Sequence, residues 1–273
     1  MRNNNFSVLM SVYYKEKPDF LDKSLDSIFT QTKIPNEVVL VEDGKLTPEL
    51  DKIINKYKKK YKKIMRVIEF SENRGLGKAL HDGLIECKNE IVFRMDSDDI
   101  SMPNRFEKTL EIFNKFEPDV VGSNIVEYDE EMKNITGYRK LPCTDDEIKK
   151  MLPRRNPMNH MTVAYKKSKV INAGNYLDMQ YFEDYYLWAR MSKNNTFYNI
   201  QENLVKVRGG NDMIKRRGGR KYIKPILQFQ KELLKLRVIS FGTYLSNIII
   251  RIGICILPDK LRYKFYMKKL RDC

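Results

Sequence analysis

Four short runs in the first third of the chain are apolar almost without a break: SVLMSVY (7–13), EVVLVED (37–43), MRVIEF (65–70) and EIVFRMD (90–96). A Val- and Ile-rich run with no polar face predicts a strand covered on both sides, as in a parallel sheet. Between these runs the spacing becomes helical: Leu21, Leu25 and Ile28 follow Pro18, and Leu76, Ala79, Leu80 and Leu84 follow Gly75. Alternating strands and helices predict right-handed βαβ units. The lysine-dense stretch 52–63 fits a solvated helix face. In the second half, 119–130 and 161–167 read as strands, 182–193 as a helix with aromatic residues on its buried side, and 197–210 as the segment that ends the domain.

The tail has a different texture. Tyr222, Ile226, Phe229, Leu233 and Leu236 recur at steps of 4, 3, 4 and 3, and Lys221, Lys224, Lys231 and Lys235 occupy the other face of the same helix. The run VISFGTYLSNIIIRIGICILP (238–258) is about as long as a bilayer span needs. Asn247 and Arg251 interrupt it and basic residues flank it, which favours an interfacial helix over a span. The alternative is that it packs back on the domain.

Composition narrows the class. A chain of 273 residues that is 42% hydrophobic suffices for one large α/β domain with an appendage, and excludes general disorder. Cys87, Cys143, Cys255 and Cys273 form no C-x-x-C pair, so they read as reduced thiols rather than a zinc site or disulfide framework. The first fourteen residues lack the core and cleavage site of a signal peptide. Residues 206–273 hold 18 Lys and Arg against 4 acids, or +14 of the formal +15. Such asymmetry points to a polyanion: nucleic acid, anionic lipid or phosphate.

Ligands in open parallel sheets gather at the carboxyl ends of strands, and acids stand there. Arg94-Met95-Asp96-Ser97-Asp98-Asp99 follows EIVF, and carboxylates two positions apart on leaving a strand present hard oxygens to Mg²⁺ or Mn²⁺. Such an ion bridges two phosphates and offsets charge on a departing nucleotide diphosphate. Glu42-Asp43-Gly44 ends the second run, where a carboxylate suits either the N3 hydrogen of uracil or a plain turn.

In this order, SVLMSVYYKEKPDFLDKSLDSIFTQT, EVVLVEDG, NRGLGKALHDGL, RMDSDD and YFEDYYLWARM resemble the family 2 glycosyltransferases of bacterial polysaccharide assembly, in the branch of amylovoran, capsular and O-antigen enzymes. The resemblance runs from about Ser7 to about Arg217. It implies a GT-A fold, a Rossmann-like and mostly parallel sheet flanked by helices, a UDP-sugar donor carrying Gal, Glc or HexNAc, and inversion at the anomeric carbon. It also implies residues 1–210 as the transferase domain, with 1–101 binding nucleotide and 102–210 binding acceptor, and 211–273 as a basic, membrane-associating extension. By position, Ser11, Val12 and Tyr13 resemble the segment that packs on the base and Asp43 its uracil contact. Arg74 and Lys78 fall near the nucleotide, as does Ser97. Asp96 and Asp98 match the metal pair, with Asp98 the direct ligand and Asp99 in support. Gly75-Leu76-Gly77 lacks the third glycine of a dinucleotide fingerprint.

In a single in-line displacement the general base faces the sugar opposite the diphosphate. Glu183-Asp184 resembles the family's pair there, with Asp184 as base and Glu183 as its positioning neighbour; helix-start carboxylates alone are the rival reading. His160 resembles an acceptor-pocket histidine. Arg216 and Arg217, beside glycines, resemble a basic segment that closes on diphosphate, or else they meet lipid headgroups. The expected setting is the inner face of the bacterial cytoplasmic membrane, with a lipid-linked or oligosaccharide acceptor and an anionic lipid surface as partners, and no nucleic acid. The competing classes are a nucleotidyltransferase, which wants a glycine-rich phosphate loop that SVYYKEKPDF lacks, and a basic nucleic-acid-binding protein, whose motifs do not accompany the charge.

Overall fold

The computed structural model describes residues 5–209 and 218–270. The four apolar runs become β1 (Phe6–Val12), β2 (Glu37–Glu42), β3 (Met65–Glu69) and β4 (Ile91–Met95), paired in parallel in the order β3-β2-β1-β4. Val8, Leu9, Val38, Val39, Val92 and Phe93 are all fully buried, so successive side chains on both faces are covered. The coverings are α1 (Pro18–Phe29), α2 (Pro48–Lys60) and α3 (Leu76–Glu86). Proline starts α1 and α2 where no helical N–H is lost, and Thr47 Oγ1 caps α2 by accepting from Leu50 N–H. Helix α3 lies unusually close to the sheet: a Cβ at Gly83 would meet Leu9 Cδ1 at 2.6 Å and Val41 Cγ2 at 2.7 Å.

Past β4 the chain runs through β5 (Ile100–Ser101), α4 (Arg105–Phe116), β6 (Val120–Tyr128), β7 (Ile135–Arg139), α5 (Asp145–Met151), β8 (Ala164–Lys166), α6 (Lys167–Asn172), α7 (Glu183–Met191) and β9 (Phe197–Arg208). Strand β8 is antiparallel to both β4 and β6, β9 runs parallel to β6, and β5 pairs antiparallel with β9. The parallel character expected of the sheet therefore belongs to the first half, and the second half is mixed. The strand expected over 161–167 shortens to three residues. Asn159 and Thr162 bond back to the backbone of Ser123, which winds His160–Thr162 into a 3₁₀ turn.

Three helices end the described chain: α8 (Arg220–Lys235), α9 (Phe241–Ile256) and α10 (Asp259–Leu270). The expected face of α8 is buried through Tyr222, Ile226, Phe229 and Leu233. Phe229 stacks on Phe182 at 4.6 Å and meets Tyr185 at 4.7 Å, against α7. Leu236 stays 38% exposed because the helix stops at Lys235. The 238–258 run packs on α8 by one side only. Its 16-residue helix is about 24 Å long, short of the roughly 30 Å hydrocarbon core, and no helix of the described residues is long and apolar enough to cross a membrane.

Candidate active site

Three carboxylates leave the end of β4. Oxygens of Asp96, Asp98 and Asp99 all lie within 4.8 Å of one another. Burial and then the charge of Asp96 push Asp98 up to about 7. Burial and then Asp98 hold Asp99 well above the usual carboxylate range. Hard oxygens that resist ionisation beside one another become good ligands once a divalent cation supplies the opposing charge, so these residues fit Mg²⁺ or Mn²⁺.

The acidic segment is braced on every side. Arg94, 1% exposed in β4, pairs with Asp96, and its Nε has no hydrogen-bond partner among the described residues. Ser24 of α1 donates to Asp96 O at 2.8 Å, and Ser97 donates to Glu16 in the β1–α1 loop. At the end of β9, Arg208 N–H donates to Asp99 Oδ1 at 2.8 Å and its Nε to Asp98 O at 3.1 Å. Its guanidinium lies 3.6 Å over the Phe20 ring.

Asp43, 5% exposed, spends its carboxylate on the loop before α3. Oδ1 accepts from Arg74 N–H at 2.7 Å, and Oδ2 accepts from Gly75 N–H and the Asn73 amide, each at 3.0 Å. The close approach needs Gly44, at φ +87°, where a Cβ would lie 2.6 Å from Asn73 N. Of the three β1 residues, Val12 turns into the core at 1% exposure, whereas Ser11 is half-buried and Tyr13 is exposed. Arg74 and Lys78 both pair with Asp82, at 3.0 and 3.2 Å. Arg216 and Arg217 lie outside the described residues.

Glu183 and Asp184 open α7, where a helix start favours negative charge. Asp184 Oδ2 accepts from the Asn156 amide at 2.7 Å. Glu183 packs on the first turn of α3, where a Cβ at Gly77 would be 3.0 Å from its Cγ, and burial pushes it up to about 7. Tyr176, 1% exposed, is near enough to both groups to feel their charge. Burial raises its phenol, the Arg94 charge pulls it down, and the charges of both Asp184 and Asp96 push it up. Its hydroxyl bonds His160 Nε2 at 3.0 Å. The His160 ring, half-buried beside Tyr176 and Trp188, is held neutral by burial and the Arg94 charge, which lower its pKa well below the usual value. His160 is thus tied to Tyr176, whose hydroxyl also stands 3.5 Å from that of Tyr165. Nothing in the sequence marks Glu16 or Asn73 as neighbours of the site. Arg94 does carry a signal, a charge inside an otherwise apolar strand.

The family model for "Glycosyl transferase family 2" matches residues 7–174. The amylovoran biosynthesis glycosyltransferase AmsE of Erwinia amylovora is 38% identical over 96% of this chain and 98% of its own. A UDP-Gal:alpha-D-GlcNAc-diphosphoundecaprenol beta-1,3-galactosyltransferase of Escherichia coli is 37% identical over 97% and 96%. Among solved structures, S. aureus TarS 1–349 in complex with UDP-GlcNAc superposes with a TM-score of 0.68 at 18% identity, over 98% of this chain and 76% of that one. The chain spans 46% of the longer TarS chain. At that identity the likeness fixes the fold, which is GT-A-like.

Proposed function

This chain belongs to glycosyl transferase family 2, and from that premise we propose that it is a hexosyltransferase of bacterial surface polysaccharide assembly that moves a sugar from a UDP donor to a lipid-linked saccharide, with inversion. The donor and acceptor classes draw support from the galactosyltransferase relative, named for UDP-Gal and a diphosphoundecaprenol-linked sugar, and from the UDP-GlcNAc bound to TarS. The observation that carries the reading is the cluster of Asp96, Asp98 and Asp99 at the end of β4, with the Glu183–Asp184 pair opening α7 and the charges of Asp96 and Asp184 both reaching Tyr176. A nucleotidyltransferase falls with the family.

Asp96 and Asp98 would hold Mn²⁺ or Mg²⁺, which when bound offsets the charge that builds on a departing nucleotide diphosphate. Ser11 and Tyr13 flank the base, and Asp43 fixes the loop that carries Arg74, with Lys78 one turn into α3. By the resemblance of their segment, Arg216 and Arg217 would add positive charge toward the diphosphate. Asp184 takes the proton of the acceptor hydroxyl as its oxygen bonds the anomeric carbon, and the bond from that carbon to the diphosphate breaks on the other face, releasing UDP. The Asn156 amide orients the Asp184 carboxylate, Glu183 shapes the floor against α3, and His160 lies behind the acceptor side. The exposed apolar side of α9 and the lysines of α8 suit a peripheral seat on the inner face of the cytoplasmic membrane.

Asp184→Asn keeps size but removes the proton acceptor, so transfer to a saturating acceptor should fall about 10²- to 10⁴-fold while calorimetric UDP-galactose affinity holds. EDTA should suppress wild-type transfer. A variant that transfers at the wild-type rate, or an α-linked product from an α-linked donor, would remove the single-displacement mechanism.

A further inference from the structure

Within the apolar run of α9, Asn247 and Arg251 both reach back to the domain. Asn247 is 6% exposed, and its amide donates to Pro153 O at 2.8 Å and to Gln230 Oε1 of α8 at 2.9 Å. One turn on, Arg251 Nη2 donates to Arg154 O at 2.9 Å, with its guanidinium 5.9 Å from the Tyr185 ring centre. The Tyr185 hydroxyl donates to Leu152 O. Three consecutive carbonyls, 152 to 154, are therefore held by side chains of α7 and α9. Two residues later stands Asn156, whose amide reaches Asp184 Oδ2 and whose carbonyl accepts from Arg139 Nη2 at 2.8 Å.

We infer that Asn247 and Arg251 are positioning residues for the general base, acting through the 152–156 loop to hold Asn156 against Asp184. The inference rests on Asp184 being that base. This loop has no strand ladder to fix its place, and its carbonyls run from buried at Leu152 to exposed at Arg154, so side-chain donors rather than burial alone set its position. The donors come from a helix more than 90 residues away in sequence and fix where the loop sits. A carboxylate rotates readily about its last torsion, and the Asn156 amide bond at Oδ2 restrains that freedom. The opposite side of α9 exposes Phe241 (63%), Leu245 (45%), Ile249 (71%) and Ile256 (66%). One short helix thus carries the lipid-facing side of the protein outward and a brace for the base inward. Asn247 and Arg251 join the apolar run to the 152–154 loop, beside the packing of Tyr244 and Cys255 on the core.

The test uses full-length protein, UDP-galactose, and a short-chain, water-soluble lipid-diphosphate N-acetylglucosamine as acceptor. In Arg251→Met and Asn247→Leu, kcat should fall at least tenfold, with UDP-galactose affinity unchanged and acceptor KM within about twofold. Losing the amide bond to the ionised carboxylate should raise the base's pKa, so the acid limb of the kcat profile should move to higher pH. Arg251→Lys, which can still donate, should recover most of the rate. Wild-type kcat and pH profile in both variants overturn the inference. So does a parallel loss of donor affinity in Arg251→Met, which would make the contact merely structural. If Asn247→Leu alone fails to fold, Arg251→Met and its lysine rescue decide. Asp184→Asn is measured beside them. Full activity there removes the base assignment itself, whereas an inactive Asp184→Asn beside a wild-type Arg251→Met removes only the present inference.

Discussion

Arg94 stands between Phe93 and Met95, both fully buried, and holds its charge there because Asp96 lies at the mouth of the strand. Breaking a buried ion pair from one side leaves the other charge uncompensated, at a cost of roughly 3–5 kcal/mol. The exposure of Asp96 to water, 30%, draws the figure toward the lower end. Arg94→Met should therefore lower the urea midpoint, and saturating Mn²⁺ should restore more stability to the variant than to wild type. Identical midpoints without metal would show that Arg94 does not compensate the triad. A second residue makes stability depend on pH. Glu183 ionises at about 7 in the fold, chiefly because it is buried, against an ordinary 4.5. Between those values the folded chain keeps a proton that the unfolded chain has lost, so stability falls as pH rises through the window. Glu42, pushed to about 7 by burial and then Glu69, adds to the same slope. Glu183→Gln should flatten the decline in urea midpoint between pH 5 and 7.5. Parallel declines would mean that Glu183 titrates as an ordinary glutamate.

Helix α3 depends on Gly83 for its distance from the sheet. Alanine there gains up to about 1 kcal/mol of helix propensity, but its methyl must displace Leu9 and Val41, both fully buried, and overpacking costs roughly 1–3 kcal/mol. Packing wins. Gly83→Ala should lower Tm and weaken UDP-sugar binding, because lifting α3 disturbs the Arg74–Gly75 loop that Asp43 holds; unchanged donor affinity would uncouple the two. The elements that were legible in the sequence have an internal signal. Strands β1 to β4 are apolar on both faces, α1 and α2 start with proline, and α8 repeats its apolar positions over four turns. Strand β5 is two residues long and only one of the five residues of β7 is buried, so neither has a burial pattern to read. The shortened β8 follows from bonds to Ser123, 36 to 39 residues away. The site divides in the same way. Asp96, Asp98 and Asp184 sit in recognisable strings, whereas Glu16 reaches Ser97 across 81 residues and Asn73 reaches Asp43 across 30, contacts that only the folded chain creates.

At the scale of the molecule, nearly all the excess positive charge lies in the last quarter of the chain, the stretch of sequence that also contains α9 and its exposed apolar side. Apolar insertion and attraction to anionic lipid add. Leu245→Ser with Ile249→Ser should reduce sedimentation with anionic vesicles while sparing transfer to a water-soluble acceptor, and equal sedimentation of both forms would refute a lipid-facing role for α9. The pairing of β5 with β9 bears on how the enzyme comes into being during translation. Strands β1 to β4 find one another within the first 95 residues, but the brace on Asp99 arrives from Arg208, 109 positions later. At about 5–20 residues per second, a ribosome takes roughly 5–20 s to cover that interval. Until then the nascent chain has three crowded carboxylates after β4 with Arg94 paired to Asp96 but without the Arg208 brace on Asp98 and Asp99, so the acidic site is completed late.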